Sequence, residues 1–351
     1  VGKLKAIKNL LVPQFIDALA KDMHLLAPVK KGNNVYFKTW QSGMELEWRR
    51  NSFLPPKDLF FPQMDLLYKY SILGQNGEIQ ELTQSEGPRA IVGIRNCDLK
   101  SITLLDKVFL SEGFEDPAYR HRRDNTVLIA YNCSKPQPAC FCTSLGINPQ
   151  GGEGADLVLF ELEQEDLGKE EKFSGPGPDY GIEARTPKGE EILKKQRDYV
   201  HDTHKKAVPF QQCPLSFGTD GILEKLQEMF EHSLWDDLSK RCLRCGICTY
   251  VCPTCHCFDI QGKNAGEEGF KYRCWDSCMF SDYTLMAGGH DPRPTRMERF
   301  RNRFLHKLWF YKERYGEFLC TGCGRCLSKC PVHLDISYVA GKIKEAVVDV
   351  R

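Results

Sequence analysis

Two copies of one cysteine phrase near the C-terminal end constrain this chain more than anything else in it. They are Cys242-x2-Cys245-x2-Cys248-x3-Cys252-Pro253 and Cys320-x2-Cys323-x2-Cys326-x3-Cys330-Pro331. Each is the run that binds a [4Fe–4S] cube in two-cluster iron–sulfur proteins, where three thiolates of a run hold one cube and the fourth crosses to its neighbour. The expected sets are Cys242, Cys245, Cys248 and Cys330 on one cluster, and Cys252, Cys320, Cys323 and Cys326 on the other. Crossing forces the clusters close together, so electrons hop between them and the chain conducts electrons. The competing reading is a pair of four-cysteine zinc sites. Zinc motifs use paired C-x2–4-C knuckles and need neither a third close cysteine nor a trailing proline.

A length of 351 residues leaves room for two domains, since one domain usually holds roughly 100–200 residues. Lys+Arg of 48 against Asp+Glu of 47 gives a formal net charge of +1, which argues for neither nucleic acid nor an anionic membrane as a partner. Seventeen cysteines, with no leading apolar stretch and no small-residue cleavage pattern, point to a reducing compartment and a cytoplasmic protein. The apolar runs at 90–94 and 127–131 are too short to span a bilayer. The pairs Arg49-Arg50 and Arg122-Arg123 lie too deep in the chain to be an export signal.

The expected fold class is α+β: a mixed α/β domain over residues 1–210, then an α-helical two-cluster ferredoxin domain over 211–351. Strands are predicted at 34–39, 90–94, 126–131 and 156–161, where β-branched and aromatic residues gather. Helices are predicted at 13–23, with proline in the first turn, and at 99–109, with Asp98 as cap. Clustered acids, glycines and prolines at 163–179 read as a surface loop. A charged helix is expected at 189–206 and a domain boundary near 209–214, followed by a helical pattern at 221–238. The segment between Cys252 and Cys320 is longer than a compact two-cluster ferredoxin needs. Within it Met297, Phe300, Phe304, Leu308 and Tyr311 recur at helical spacing, so a helical domain is expected in place of a small β-containing one. Arg296, Arg299, Arg301, Arg303 and Lys307 on the same helix read either as a solvated face or as a docking patch for an acidic partner.

Other cysteines remain. Cys97 and Cys133 follow predicted strands, and Cys140-Phe141-Cys142 brings two more thiols into one short loop. Strand-end loops are where an α/β scaffold places its sites. The favoured reading is a third [4Fe–4S] cluster on Cys97, Cys133, Cys140 and Cys142, against buried free thiols or a four-thiolate zinc. Cys255, Cys257, Cys274 and Cys278 suit in number a fourth metal site, or else pack round the first run and tune its potential. Cys213, beside Pro214, reads as a structural or unused thiol, and His201 and His204 as solvated residues on a charged helix. No G-x-G-x-x-G follows a strand, and no P-loop, G-x-S-x-G elbow or H-E-x-x-H occurs, so no flavin or NAD site of its own and no catalytic residues are expected. Arg95, Asp98, Arg120, Arg122 and Arg123 read equally as a polar site or as structural ion pairs.

Several phrases together resemble the iron–sulfur beta subunit of cytoplasmic hydrogenase and sulfhydrogenase complexes, and the related iron–sulfur subunit of anaerobic sulfite reductase. They are Pro55-Pro56-Lys57 with Phe61-Pro62-Gln63, Gly93-Ile94-Arg95-Asn96-Cys97-Asp98, Asp106-Lys107-Val108-Phe109, Asn132-Cys133 and Cys140-Phe141-Cys142-Thr143-Ser144. Cys252-Pro253-Thr254-Cys255, Trp275-Asp276-Ser277-Cys278 and His306-Lys307 continue the series. Asn96 departs from the pattern, where proline is frequent, and Cys274 lies outside it, so only Cys255, Cys257 and Cys278 of the fourth group are carried by the resemblance. The resemblance implies a hetero-oligomer in which this chain passes electrons between an FAD- and NAD(P)-binding reductase partner and a terminal catalytic subunit. That terminal subunit is a hydrogenase, a sulfite reductase or a heterodisulfide-reductase-linked enzyme, and this chain does no substrate chemistry. The alternatives are a self-contained iron–sulfur reductase of a small molecule and a zinc-stabilised interaction module.

Overall fold

The apolar run at 90–94 lies in the middle of an eight-stranded sheet. The computed structural model describes residues 4–73, 76–81, 87–164 and 177–347. Its strands are β1 (Leu4–Ile7), β2 (His24–Lys31), β3 (Asn34–Thr39), β4 (Met64–Leu73), β5 (Asn76–Glu81), β6 (Arg89–Arg95), β7 (Thr126–Tyr131), β8 (Leu157–Glu161), β9 (Tyr180–Ala184), β10 (His201–Thr203), β11 (Phe258–Ala265) and β12 (Glu268–Trp275). The large sheet runs β10-β1-β9-β8-β7-β6-β2-β3, parallel from β2 through β6 and β7 to β8. Successive side chains of a strand point to opposite faces. Ala90, Val92, Val127 and Ile129 accordingly enter one core, and Ile91, Ile94, Leu128 and Ala130 the other.

Helix α1 (Val12–Asp22) covers the first face with Val12, Phe15, Ile16 and Leu19. Helix α2 (Asn96–Phe109) covers the second with Leu99, Ile102, Leu105 and Phe109. The carboxyl ends of β6 and β7 therefore open into the crevice where such sheets place their ligands. Gly93 bends β6 there at φ 74°, with a register shift between Val92 and Ile94. A Cβ at this position would stand 3.0 Å from Pro28 and 3.3 Å from Trp48, so glycine is required.

A second sheet, β11-β12-β4-β5, joins the two halves of the chain. Its β11–β12 hairpin corrects the expectation of an entirely helical segment between the cysteine runs. These residues are strands because they extend β4, a partner far away in sequence that local periodicity cannot announce. Arg273 of β12 fastens the hairpin: it donates to Asp65 at 2.8 Å and also to Asp116, while Arg122 donates to the same Asp65 at 2.9 Å. Arg122 lies on α3 (Pro117–Asp124), and Arg120 and Arg123 on the same helix pair with Glu115 and Asp106. Ion pairing thus accounts for Arg120, Arg122 and Arg123, whereas Arg95 donates to the Trp48 carbonyl at 2.9 Å and faces Cys133.

Three helix expectations change. Helix α2 starts at Asn96, so Asp98 lies in its first turn and pairs with Arg325 in place of capping. The charged helix is only α4 (Pro187–Lys195), and the chain then enters edge strand β10. His201 is on that strand and His204 beyond it. The pattern at 221–238 is two helices, α5 (Ile222–Glu228) and α6 (Leu234–Ser239), separated where Met229 O accepts the Trp235 indole N–H. Most of the loop expected at 163–179 lies outside the described residues.

The C-terminal body adds α7 (Ile247–Tyr250), α8 (Arg296–Leu305), α9 (Tyr311–Tyr315), α10 (Arg325–Lys329) and α11 (Ile336–Glu345). A Thr295–Glu298 capping box starts α8, and a π turn at 306–310 joins it to α9 as one rod. Phe300, Phe304 and Leu308 pack into the core with Trp235, Leu226 and Val339. Both readings of the rod's basic row are overturned, because Arg299, Arg301, Arg303 and Lys307 are buried, leaving only Arg296 exposed. Arg299 donates to the Arg293 carbonyl at 2.6 Å, and Arg301 to the Phe230 carbonyl at 2.7 Å. No described helix is long and apolar enough to cross a membrane.

Candidate metal centres

The four cysteines of the first expected set line one cavity. Cys242, Cys245 and Cys248 come from the first run and Cys330 from the second, with Met279, Phe300 and Phe304 as apolar wall. Left-handed turns at Arg244 and Gly246 curl the run round this space. Burial pushes the Cys242 thiol up, while the backbone N–H of Arg244, donating to it, pulls it down. Leu334 N–H donates to Cys330 Sγ at 3.3 Å. Backbone N–H groups aimed at sulfur are a recognised lever on cluster potential.

The second set lies deeper. Cys252 is close enough to Cys320, Cys323 and Cys326 to act on the charge of each. Burial raises Cys320 to about 12 and Cys323 to about 11, against the N–H of Gly322 on the first and the Arg325 cation beside the second. Buried thiols of this kind bind metal only by releasing their protons. Cations are supplied for that state. Lys307 Nζ is 3.3 Å from Cys252 Sγ and 2.7 Å from Thr254 Oγ1. Arg303 donates to the Cys248 carbonyl at 3.1 Å and feels Cys248 of one set together with Cys326 and Cys252 of the other.

The third set meets where β6 and β7 end. Cys97, Cys133, Cys140 and Cys142 line one pocket with Arg95, Asn51 and Phe210, and Gly322 and Cys323 of the second run close its wall. Arg95 Nη1 is 3.4 Å from Cys133 Sγ, and Asn51 Nδ2 donates to the Cys323 carbonyl at 2.8 Å while lying 3.7 Å from Cys140 Sγ. Gly322 O accepts from Phe141 N–H at 2.9 Å, and a Cβ on Gly322 would come within 2.5 Å of the Cys142 backbone. Cys213 joins this group, its Sγ 3.8 Å from that of Cys142. Nothing in the local sequence of Cys213 announces this, because the approach is made by the chain returning after β10.

The last group divides. The Cys278 thiol donates to Cys257, which it holds near 6 with help from Tyr283 against burial. The Cys255 thiol donates to Cys252, which Lys307 and Arg303 also hold low. Cys274 stands on β12 with Asp259 and Asp276 as its charged neighbours.

These surroundings fit iron–sulfur clusters. Arg95 Nε, Arg303 Nη1 and Thr321 Oγ1 are buried without a protein partner, and all three are donors bordering the cysteine sets. Buried donors are rarely left unpaired, and cluster sulfurs would accept from them.

A helical body that brings two such runs together, each lending a cysteine to the other's set, defines an iron–sulfur protein of the two-cluster class. Residues 241–334 match the 4Fe-4S dicluster domain family. Along almost its whole length the chain is similar to sulfhydrogenase 2 subunit beta of Pyrococcus furiosus, with 31% identity over 352 residues, covering 96% of this chain and 97% of that protein. It belongs to the sulfhydrogenase beta-subunit family, and is an iron–sulfur electron-transfer subunit.

Proposed function

We propose that this chain relays single electrons inside a hetero-oligomeric cytoplasmic oxidoreductase, between an FAD- and NAD(P)-binding reductase partner and a terminal catalytic subunit, with no flavin or nicotinamide site of its own. The name of its relative, a sulfhydrogenase subunit, favours a hydrogenase as the terminal partner. Each cluster, when bound, supplies one-electron chemistry at a potential set by hydrogen bonds to sulfur, charge and burial. In this reading Cys242, Cys245, Cys248 and Cys330 hold one [4Fe–4S] cluster, Cys252, Cys320, Cys323 and Cys326 the second, and Cys97, Cys133, Cys140 and Cys142 a third. Cys255 is a hydrogen-bonding neighbour of Cys252, Cys257 and Cys278 form a hydrogen-bonded pair of their own, and Cys274 belongs to none of these.

The observation that carries the reading is the cavity shared by three cysteines of one run and the fourth of the other. The protein's own part is to exclude water with Phe300, Phe304 and Met279 and to balance thiolate charge with Lys307, Arg303 and Arg95. Anaerobic purification of the full chain tests it. Roughly twelve irons, four per cube, and a spin-coupled EPR signal on reduction are expected. A colourless zinc protein, stoichiometric flavin, or reduction of a small molecule by the chain alone would overturn it.

A further inference from the structure

The two cysteine runs share one backbone design but meet different surroundings. Cys245, Leu243 and Arg244 are exposed, Leu243 to 62%. Their counterparts Cys323, Thr321 and Gly322 are buried against the N-terminal domain. Arg244 has φ 57° and Gly322 φ 60°, followed by Gly246 at 72° and Gly324 at 74°. In each run the N–H of that left-handed residue points at the first cysteine, Arg244 at Cys242 and Gly322 at Cys320. The turn is therefore backbone work that glycine does without steric cost, whereas a side chain there is strained. Arginine at the exposed copy needs another reason, and strain of this kind gathers at functional sites. Among the described residues the other non-glycine residue at positive φ is His333 at 51°, also exposed, just after Cys330-Pro331.

The surrounding charge is basic. Asp236 and Asp237 share the single Lys240 ammonium, at 3.2 and 2.9 Å, and the exposed Arg241, Arg244 and Arg296, the last donating to the Lys240 carbonyl at 3.3 Å, outweigh the carboxylate left over. Arg241 donates to the Val332 carbonyl at 2.8 Å and lies over the Tyr338 ring. Among the described residues neither Arg241 nor Arg244 pairs with a carboxylate. A second copy of the chain is a poor occupant, since a two-fold contact would set these arginines against themselves.

We propose that Leu243, Arg241 and Arg244 form the docking rim for a separate electron-transfer protein with an acidic face, and that electrons enter or leave this chain across the Cys245 edge. The step moves one electron between the partner's centre and this site, one losing what the other gains, with no bond made or broken. The inference rests on the reading that the Cys242 set holds a cluster.

Arg244→Gly in the full, cluster-loaded chain keeps the turn and removes the guanidinium. Stopped-flow oxidation of the reduced protein would be followed with anionic Co(EDTA)−, cationic Co(NH3)6 3+ and a ferredoxin rich in Asp and Glu. At low ionic strength we expect the second-order rate to fall about fivefold for the anion and the ferredoxin but not for the cation, as expected when a local field steers encounter. The difference should disappear at high salt, with iron content, EPR signal and cluster potential unchanged and unfolding no easier than in the parent. Equal rates and equal salt dependence in parent and variant would overturn the docking rim. So would a shifted potential that changes all three rates alike, because Arg244 would then tune the site and not steer partners. A parent chain lacking the iron and EPR signal of the Cys242 cluster would instead overturn the reading beneath the inference, and the inference with it.

Discussion

The Lys307 ammonium stands 3.3 Å from the sulfur of Cys252, with only 2% of the lysine exposed. Burial disfavours a charged lysine, yet Cys252 and Cys255 outweigh it and raise its pKa. Lys307 lies in the π turn of the rod, an irregularity frequent at functional sites. The arrangement commits a buried cation to one cysteine of the second set.

Lys307→Met should therefore lower the reduction potential of the cluster on Cys252, Cys320, Cys323 and Cys326, because the reduced form carries the extra negative charge. Loss of a charged hydrogen bond, about 1.5 kcal/mol, corresponds to roughly 60 mV in a one-electron couple. Redox titration followed by EPR would read it, and Lys307→Arg should restore most of the shift. An unchanged potential would make Lys307 a packing residue.

Cys330→Ala should remove the cluster built on Cys242, Cys245 and Cys248 and spare the one on Cys320, Cys323 and Cys326. The protein should lose about four irons together with the spin coupling between neighbours. Loss of the opposite cluster would show that the runs do not cross.

In the N-terminal pocket, Cys97→Ser should cost about four irons while Cys213→Ser costs none, since Cys97 lines the pocket and Cys213 stands beside Cys142. The full chain is the right material, because Gly322 and Cys323 form part of the wall. Retention of iron in Cys97→Ser with loss in Cys213→Ser would exchange the two roles.

Asp65→Asn leaves Arg122 and Arg273 buried without their shared carboxylate. Breaking such a pair costs about 3 kcal/mol or more, to be read as a lower chemical-unfolding midpoint at pH 7. Burial raises the Asp65 pKa, but the two arginines more than reverse this and hold it below its ordinary value of 3.8. Its contribution is thus fully present above about pH 4 and is lost as pH falls through the depressed folded value. The variant should lack that part of the acid slope, and equal midpoints would show that the network carries no stability.

Ligand spacing within a cysteine run is a local property, so Cys242, Cys245 and Cys248, and likewise Cys320, Cys323 and Cys326, could be grouped from sequence alone. The same holds for β6, β7 and α1, where hydrophobic period and proline act within a few residues. Other features required the tertiary structure. Periodicity marks the apolar face of the rod as buried but is silent about what meets its opposite face, so the burial of Arg303 between the two cysteine sets and of Lys307 against Cys252 could not be read from it. The β11–β12 hairpin and the approach of Cys213 to Cys142 depend on partners that only the folded chain brings near. Exposure of the turn at 243–245 and burial of its counterpart at 321–323 are decided in the same way, by which of two similar turns the Phe141–Cys142 loop covers.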